Sequence, residues 1–325
     1  MITTSPPPDR PSPALAGPGP GVTAKRLFLS TRPAFFTASV LPVFVGTAWA
    51  AAATGHVDWR LLALALAATV LAHGATNVYN DVGDDVIGAD EGNNERIYPY
   101  TGGSRFIQTG LLTRAEMARL ALGLAVAALV VGFALTLLRG PGVVLLGLAG
   151  LALGILYSMP GVQLSARGVG ELAVAVGFGP LPLLGAAWLQ GAPVNAGAVL
   201  VSLPVGAWVA AILLINEVPD RDADARAGKR TLVVRLGAAG ARAIYFGLTA
   251  LALAASAAAA TIGALPLWYA LPAAALALAG VLAARGISVE PAARPQLRKS
   301  IELTLAIHAL GSITLCLAIL AHRFA

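Results

Sequence analysis

Ten of the 16 carboxylates in the chain fall in two short segments, six between residues 81 and 95 and four between residues 217 and 224. The first segment reads Asn77-Val-Tyr-Asn80-Asp81-Val-Gly-Asp84-Asp85-Val-Ile-Gly88-Ala-Asp90. If a helix continues through it, Asn77, Asn80, Asp81 and Asp84 stand at i, i+3, i+4 and i+7 and share one face. The second reads Asn216-Glu217-Val-Pro219-Asp220-Arg-Asp222-Ala-Asp224, where Asn216, Asp220 and Asp224 stand at i, i+4 and i+8. Two facing carboxylate rows suit Mg²⁺, which takes one or two protein carboxylates and completes its shell with ligand phosphates. A solvated acidic loop explains either cluster alone. The repeated one-face spacing favours a site, and ionisable groups at a membrane helix usually mark function.

Cations accompany each row. Arg105 follows the first, within Thr101-Gly-Gly-Ser-Arg105, and Arg221, Arg226, Lys229 and Arg230 flank the second. A diphosphate needs its charge met from several directions, by metal and by Arg or Lys beside a Gly-rich loop. Arg105 and Lys229 are read as phosphate ligands, and Arg226, Arg230 and Arg235 as interfacial anchors. Two other motif readings fail. A calcium loop starting at Asp220 has Ala225 and Thr231 where Gly and Glu are required. A phosphate loop around Lys229 lacks the Gly at position 223 and the Ser or Thr after the Lys.

The elements that position these residues are membrane helices. Of 325 residues 57% are hydrophobic and 12% charged, with mean hydropathy +0.77, against roughly 25% charged in a soluble domain. A span needs about 20 apolar residues. The apolar runs divide into about nine helices, near 33–53, 59–82, 115–138, 142–159, 169–190, 197–218, 240–262, 265–284 and 300–321. The expected fold class is therefore an all-α integral membrane bundle. With the N-terminus in the cytoplasm, 19 of the 22 basic residues lie on that side, leaving Arg60, Arg139 and Arg323 outside. Both acidic rows then face the cytoplasm from a multi-pass protein of the cell (inner) membrane. The same asymmetry explains the +6 net charge without nucleic acid. Residues 1–24, rich in Pro and Gly, are expected to be a disordered leader, and residues 25–325 the membrane domain. Cys316 is single and the four histidines are scattered, which excludes a disulfide framework and a thiolate or histidine metal site.

The pattern Asn80-Asp81-x-x-Asp84, then Asp220-x-x-x-Asp224, on about nine helices resembles the UbiA superfamily of intramembrane aromatic prenyltransferases. The resemblance runs from about residue 26 onward. Within the superfamily the chain is most similar to the 1,4-dihydroxy-2-naphthoate prenyltransferases of menaquinone synthesis. That similarity rests on Gly88-Ala-Asp90, Gly228-Lys229-Arg230-Thr231, Arg32-Pro33, Tyr157-Ser158 and Gly168-Val-Gly170-Glu171. Glu217 stands where that group often has a neutral residue. The resemblance implies that Asn80, Asp81, Asp84, Asp220 and Asp224 hold Mg²⁺ on an isoprenyl diphosphate. Arg105 and Lys229 complete the clamp, Asn216 belongs to the catalytic set, and Arg32, Asn77 and Arg221 lie around the bound cofactor. Tyr157 either borders the reacting centre or anchors its helix at the interface. An aromatic acid is the implied acceptor, dihydroxynaphthoate ahead of 4-hydroxybenzoate or homogentisate, and the isoprenyl tail lies in the bundle, open to lipid. A cation-coupled transporter is the rival class, but its carboxylates belong at mid-span. A phosphotransferase with paired Asp motifs needs Asp-Gly-x-x-Ala-Arg, and Asp84 is followed by Asp85.

Overall fold

The structure, a computed structural model, describes residues 15, 17–90, 93, 95–159 and 161–323, with the side chain of Arg323 excluded. Most of the expected leader, including Arg10, lies outside the described residues, as does Glu91. The described part of that leader is not irregular throughout. Helix α1 (Pro20–Ser30) begins inside it, with Pro20 at the first helical position, where its missing N–H is not needed. Arg26 donates to the carbonyls of Leu15 and Gly17 and to that of Leu111.

The remaining helices are α2 (Thr37–Thr54), α3 (Trp59–Ile87), α4 (Arg114–Arg139), α5 (Gly142–Ser158), α6 (Gly170–Phe178), α7 (Pro180–Leu189), α8 (Ala196–Arg226), α9 (Leu232–Thr261), α10 (Ala270–Arg285) and α11 (Arg294–Arg323). Eight spans among the described residues are long and apolar enough to cross a membrane, with α6 and α7 counted as one, and the shorter apolar α5 adds a ninth. The expected helical bundle is therefore observed, with three departures in detail. First, α3 and α8 run past the predicted ends at 82 and 218, so both acidic rows are helical. Second, the predicted span 169–190 breaks at Gly179, whose ψ of −96° is not helical and which precedes Pro180. Third, two helices begin early, α9 at Leu232 by eight residues, with a break at Gly237, and α11 at Arg294 by six.

Local sequence sets these limits. Asp58 caps α3 by accepting from the Arg60 and Leu61 amides at 2.9 and 3.3 Å. Gly88, left-handed at φ 72°, ends it. Thr113 and Glu116 form a capping box on α4. Helix α8 is the axis of the bundle: 78% of its most apolar window is buried, against 11% for α4. On α4, by contrast, Leu122, Leu129, Val130, Phe133 and Leu137 are exposed, as a lipid-facing helix requires.

The loops sort to two ends. At one end Arg230 N donates to Ala166 O at 2.9 Å, Arg294 pairs with Glu95, and Tyr100 donates to Glu302 at 3.3 Å. At the other, Gln190 exchanges two 2.9 Å bonds with the main chain of Asp58, and His322 meets Gly263 O at 3.0 Å.

Small residues let the helices approach, since apolar surface gains little by leaving lipid. At Gly46 on α2 a Cβ would stand 2.0 Å from the Leu183 carbonyl oxygen on α7. Gly46→Ala is expected to cost about 1–3 kcal/mol through overpacking, read as earlier thermal unfolding in detergent micelles. Gly147→Ala, on an exposed face with no atom within 4 Å, should leave the transition unchanged or slightly later.

Candidate active site

The last turns of α3 and α8 meet at the end of the bundle that carries the 88–113 loop. Asp81 and Asp84 project from α3, and Asp220 and Asp224 from α8. Asp81, Asp84 and Asp224 are buried, and so are Asp90, Arg105 and Lys229. Charges removed from water are tolerated only with close partners, and most of these have one.

Lys229 joins the two rows. Its Nζ lies 2.8 Å from Asp84 Oδ1 on α3 and 3.4 Å from Asp224 Oδ1 on α8. Local geometry turns it there: Gly228 is left-handed at φ 78° and Lys229 N donates to Asp224 O at 2.9 Å, a helix-ending turn that returns the side chain over its own helix. Burial opposes charge on Lys229, and Asp84 and Asp224 outweigh it, so its pKa stands above the usual lysine value.

The 101–104 loop straps the rows a second time. Gly102 N donates to Asp220 Oδ2 at 2.9 Å and Ser104 N to Asp81 Oδ2 at 3.1 Å. Asn93 Nδ2 donates to Asp220 Oδ1 at 2.8 Å. Gly103, at φ 68°, lies where a Cβ would stand 2.9 Å from Asp90 Oδ2 and 3.2 Å from Asp81 Oδ1. Only glycine fits this close approach in a left-handed conformation.

Asp90 completes the cluster from the loop. Burial, followed by the charges of Asp84 and Asp81, pushes its carboxyl up to about 8. Arg105 Nη1 donates to the Asp90 main-chain oxygen, and Arg32 Nη1 lies 3.9 Å from Asp81 Oδ1. Both arginines adopt left-handed backbone conformations, φ 61° and 58°. Such strain, on the order of 1–3 kcal/mol per residue, concentrates at functional sites.

Asp81, Asp84, Asp224, Lys229 and Arg105 thus come together as the sequence suggested, with Asp220 held by Asn93 and the loop. Asn80 Nδ2 donates to Ser158 Oγ at 3.2 Å, placing Asn80 against the end of α5. Tyr157 is within electrostatic reach of Glu217, Lys229, Asp84 and Glu171, on the side of α5 that faces the site. Asn216 is one turn deeper than Asp220, and its Oδ1 has no hydrogen-bond partner. Two expected residues stand apart. Asn77 spends its amide on Thr31 O at 3.0 Å, tying α3 to the end of α1. Arg221 pairs with Asp222 at 2.8 Å and lines a separate cleft of about 320 Å³ with Glu95, Arg226 and Arg294, because it projects about 100° round α8 from Asp220. Asp85 likewise turns away, to Arg114 at 2.6 Å. Asn93 and the 101–104 amides were not anticipated. Only the Gly102-Gly103 pair marked that loop in the sequence.

No three Asp, Glu, His or Cys side chains among the described residues converge on one point as a ready metal cage. The donor set nevertheless fits a hard cation that takes most of its ligands from elsewhere. Asp81 Oδ1 and Asp90 Oδ2 are buried without a hydrogen-bond partner, and both border the space that a Cβ on Gly103 would fill.

Residues 39–306 match the UbiA prenyltransferase family. Over 222 residues the chain is 36% identical to the 1,4-dihydroxy-2-naphthoate octaprenyltransferase of Mycobacterium tuberculosis, covering 68% of this chain and 73% of that protein. It is 33% identical to the Escherichia coli protein of the same name, covering 66% and 69%. In three dimensions it is similar to a UbiA homologue from Aeropyrum pernix K1, with TM-score 0.65 at 20% identity over 86% of this chain and 96% of that one. A UbiA homologue from Archaeoglobus fulgidus bound to DMAPP and Mg²⁺ gives 0.64 at 17% identity, covering 89% and 99%. At those identities the structural likeness carries the fold alone. With both acidic rows inside the matched residues, on a multi-pass helical bundle of that fold, the chain belongs to the UbiA prenyltransferase family.

Proposed function

We propose that this chain transfers an isoprenyl group from isoprenyl diphosphate to 1,4-dihydroxy-2-naphthoate, with loss of the acceptor carboxylate as carbon dioxide, in menaquinone biosynthesis. The observation that carries the reading is the Lys229 bridge between Asp84 and Asp224, which makes one polar site of two separate motifs. The carboxylates there outnumber Arg32, Arg105 and Lys229, so an anionic diphosphate enters favourably only together with divalent cation. Asn80, Asp81, Asp84, Asp220 and Asp224 are the residues to hold Mg²⁺, which supplies positive charge against the leaving diphosphate oxygen. Arg105 and Lys229 contribute fixed charge to the same oxygens, and Arg32 stands beside Asp81. The names of the Mycobacterium tuberculosis and Escherichia coli relatives support the naphthoate acceptor, and the DMAPP and Mg²⁺ bound by the Archaeoglobus fulgidus homologue support the donor and the metal.

Membranes containing the protein, given labelled isoprenyl diphosphate, Mg²⁺ and dihydroxynaphthoate, should yield a prenylated product lacking the carboxyl mass, with carbon dioxide and diphosphate released in step. Prenylated 4-hydroxybenzoate with its carboxylate retained would instead replace the acceptor while keeping the transferase.

Asp84→Ala and Asp220→Ala should each lower turnover by at least about 10²-fold, the scale of removing one electrostatic contact to the transition state. Both should still insert in the membrane, and chelator should abolish wild-type turnover. Asp58→Asn, which keeps the cap on α3 at the opposite end, should retain activity; equal loss there would point to instability and away from a site.

The charge asymmetry supports a cytoplasm-facing site in the cell membrane. In a variant lacking Cys316, a cysteine at exposed Ala225 should react only with reagent reaching the cytoplasmic face, and one at exposed Gly191 only from outside. The reverse pattern would invert the orientation.

A further inference from the structure

Beneath the two carboxylate rows lies a second acidic feature that diphosphate binding does not use. Glu171 stands in the first turn of α6, and Glu217 stands one turn before Asp220 on α8, on the face that leads to Asp224. Each side chain is the other's close electrostatic neighbour, and the residues are only 6% and 8% exposed. Two carboxyl groups so placed, away from water, cannot both be ionised without a large cost. Each keeps one oxygen, Glu171 Oε1 and Glu217 Oε2, buried without a hydrogen-bond partner. A third unpartnered group is not acidic: Ser165 Oγ, in a residue 5% exposed. Ser165 packs on Gly170, where a Cβ would stand 3.2 Å from Ser165 Cα and 3.6 Å from the Tyr157 ring. Tyr157 in turn lies among Glu217, Lys229, Asp84 and Glu171. Tyr157 is thus within electrostatic reach of both the diphosphate end and the glutamate pair. Buried acceptors and a hydroxyl left unpaired inside a membrane bundle are costly unless a ligand completes them.

We propose that Glu171 and Glu217 form a proton relay for the aromatic acceptor, binding the hydroxyl next to its carboxylate, taking that proton during alkylation and returning it on decarboxylation. The inference rests on the acceptor assigned above. The steps balance. The C1–O bond of the isoprenyl diphosphate breaks with its electron pair on diphosphate. The ring carbon carrying the carboxylate bonds to C1, and the neighbouring O–H proton passes to the pair, leaving a β-keto carboxylate. The bond to the carboxylate then breaks, carbon dioxide leaves, the electron pair restores the aromatic ring, and the pair returns its proton to the oxygen. No oxidant and no net proton are needed. Two adjoining carboxyl groups can take up a proton and release it again without either group being carried to water.

The test uses the full-length protein in detergent micelles with Mg²⁺, isoprenyl diphosphate and either dihydroxynaphthoate or its 1-methoxy analogue. Glu217→Gln and Glu171→Gln should lower turnover of dihydroxynaphthoate by about 10²-fold or more and weaken its equilibrium binding, while the affinity for isoprenyl diphosphate stays at the wild-type value. With the methoxy compound, wild type should fall to the rate of the variants and the variants should fall no further, because the contact is already gone. Full turnover in the variants overturns the relay, as does loss by the same factor on both acceptors or parallel loss of diphosphate binding. A wild type inactive on dihydroxynaphthoate overturns the acceptor assignment itself and the relay with it, a result separable from active wild type with unaffected variants.

Discussion

The ion pairs from Lys229 to Asp84 and Asp224, at 2.8 and 3.4 Å, are the contacts on which the rest of the site depends. Several carboxylates face one another here, and mutual repulsion would separate α3 from α8 or draw water into the end of the bundle. A buried ammonium between them converts repulsion into attraction, and its value is high because the surroundings are poorly screened. A neutral residue at 229 would leave two buried charges uncompensated, which costs more than the pair contributes when intact. In the same arrangement the internal cation balances only part of the acidic charge, as the proposed entry of metal together with diphosphate requires.

Main-chain amides do what further lysines cannot. The Gly102 and Ser104 amides reach Asp220 and Asp81 from a loop two residues wide, and amides carry no net charge to repel a metal. Their placement demands left-handed backbone at Gly102 and Gly103. Gly103 meets the further condition that nothing larger fits against Asp81 and Asp90. Arg105 follows in the same conformation without being a glycine, so its guanidinium is held at Asp90 at a conformational cost that the hydrogen bonds around it offset.

Helix α8 connects packing to chemistry. Its apolar stretch is the most buried in the bundle, and its final two turns carry Asn216, Glu217, Asp220 and Asp224. A helix fixed on all sides by α2, α6, α9 and α11 cannot rotate, so its carboxylates keep their register with α3. Pro219 lies inside it, where the carbonyl of residue 215 loses its usual helical partner. One turn inward from Asp220 along α8 stands Glu217, the close electrostatic neighbour of Glu171 on α6.

The amino-acid order alone determined the membrane class, the approximate spans, the sidedness of charge and the two acidic rows, because each is a property of local composition or helical period. Apolar runs of about 20 residues admit few alternatives, and Asp81 with Asp84, or Asp220 with Asp224, share a face by spacing alone. Tertiary structure decided the rest. It turned Arg221 and Asn77 away from the carboxylates, made Asn93 a ligand of Asp220, and broke the helix at Gly179. It also set Glu171 against Glu217, 46 residues apart in the chain. None of these follows from periodicity, because each depends on which neighbouring helix or loop supplies the opposite partner of a buried polar group. That choice is made only when the bundle closes and most buried polar groups find a partner within a few ångströms.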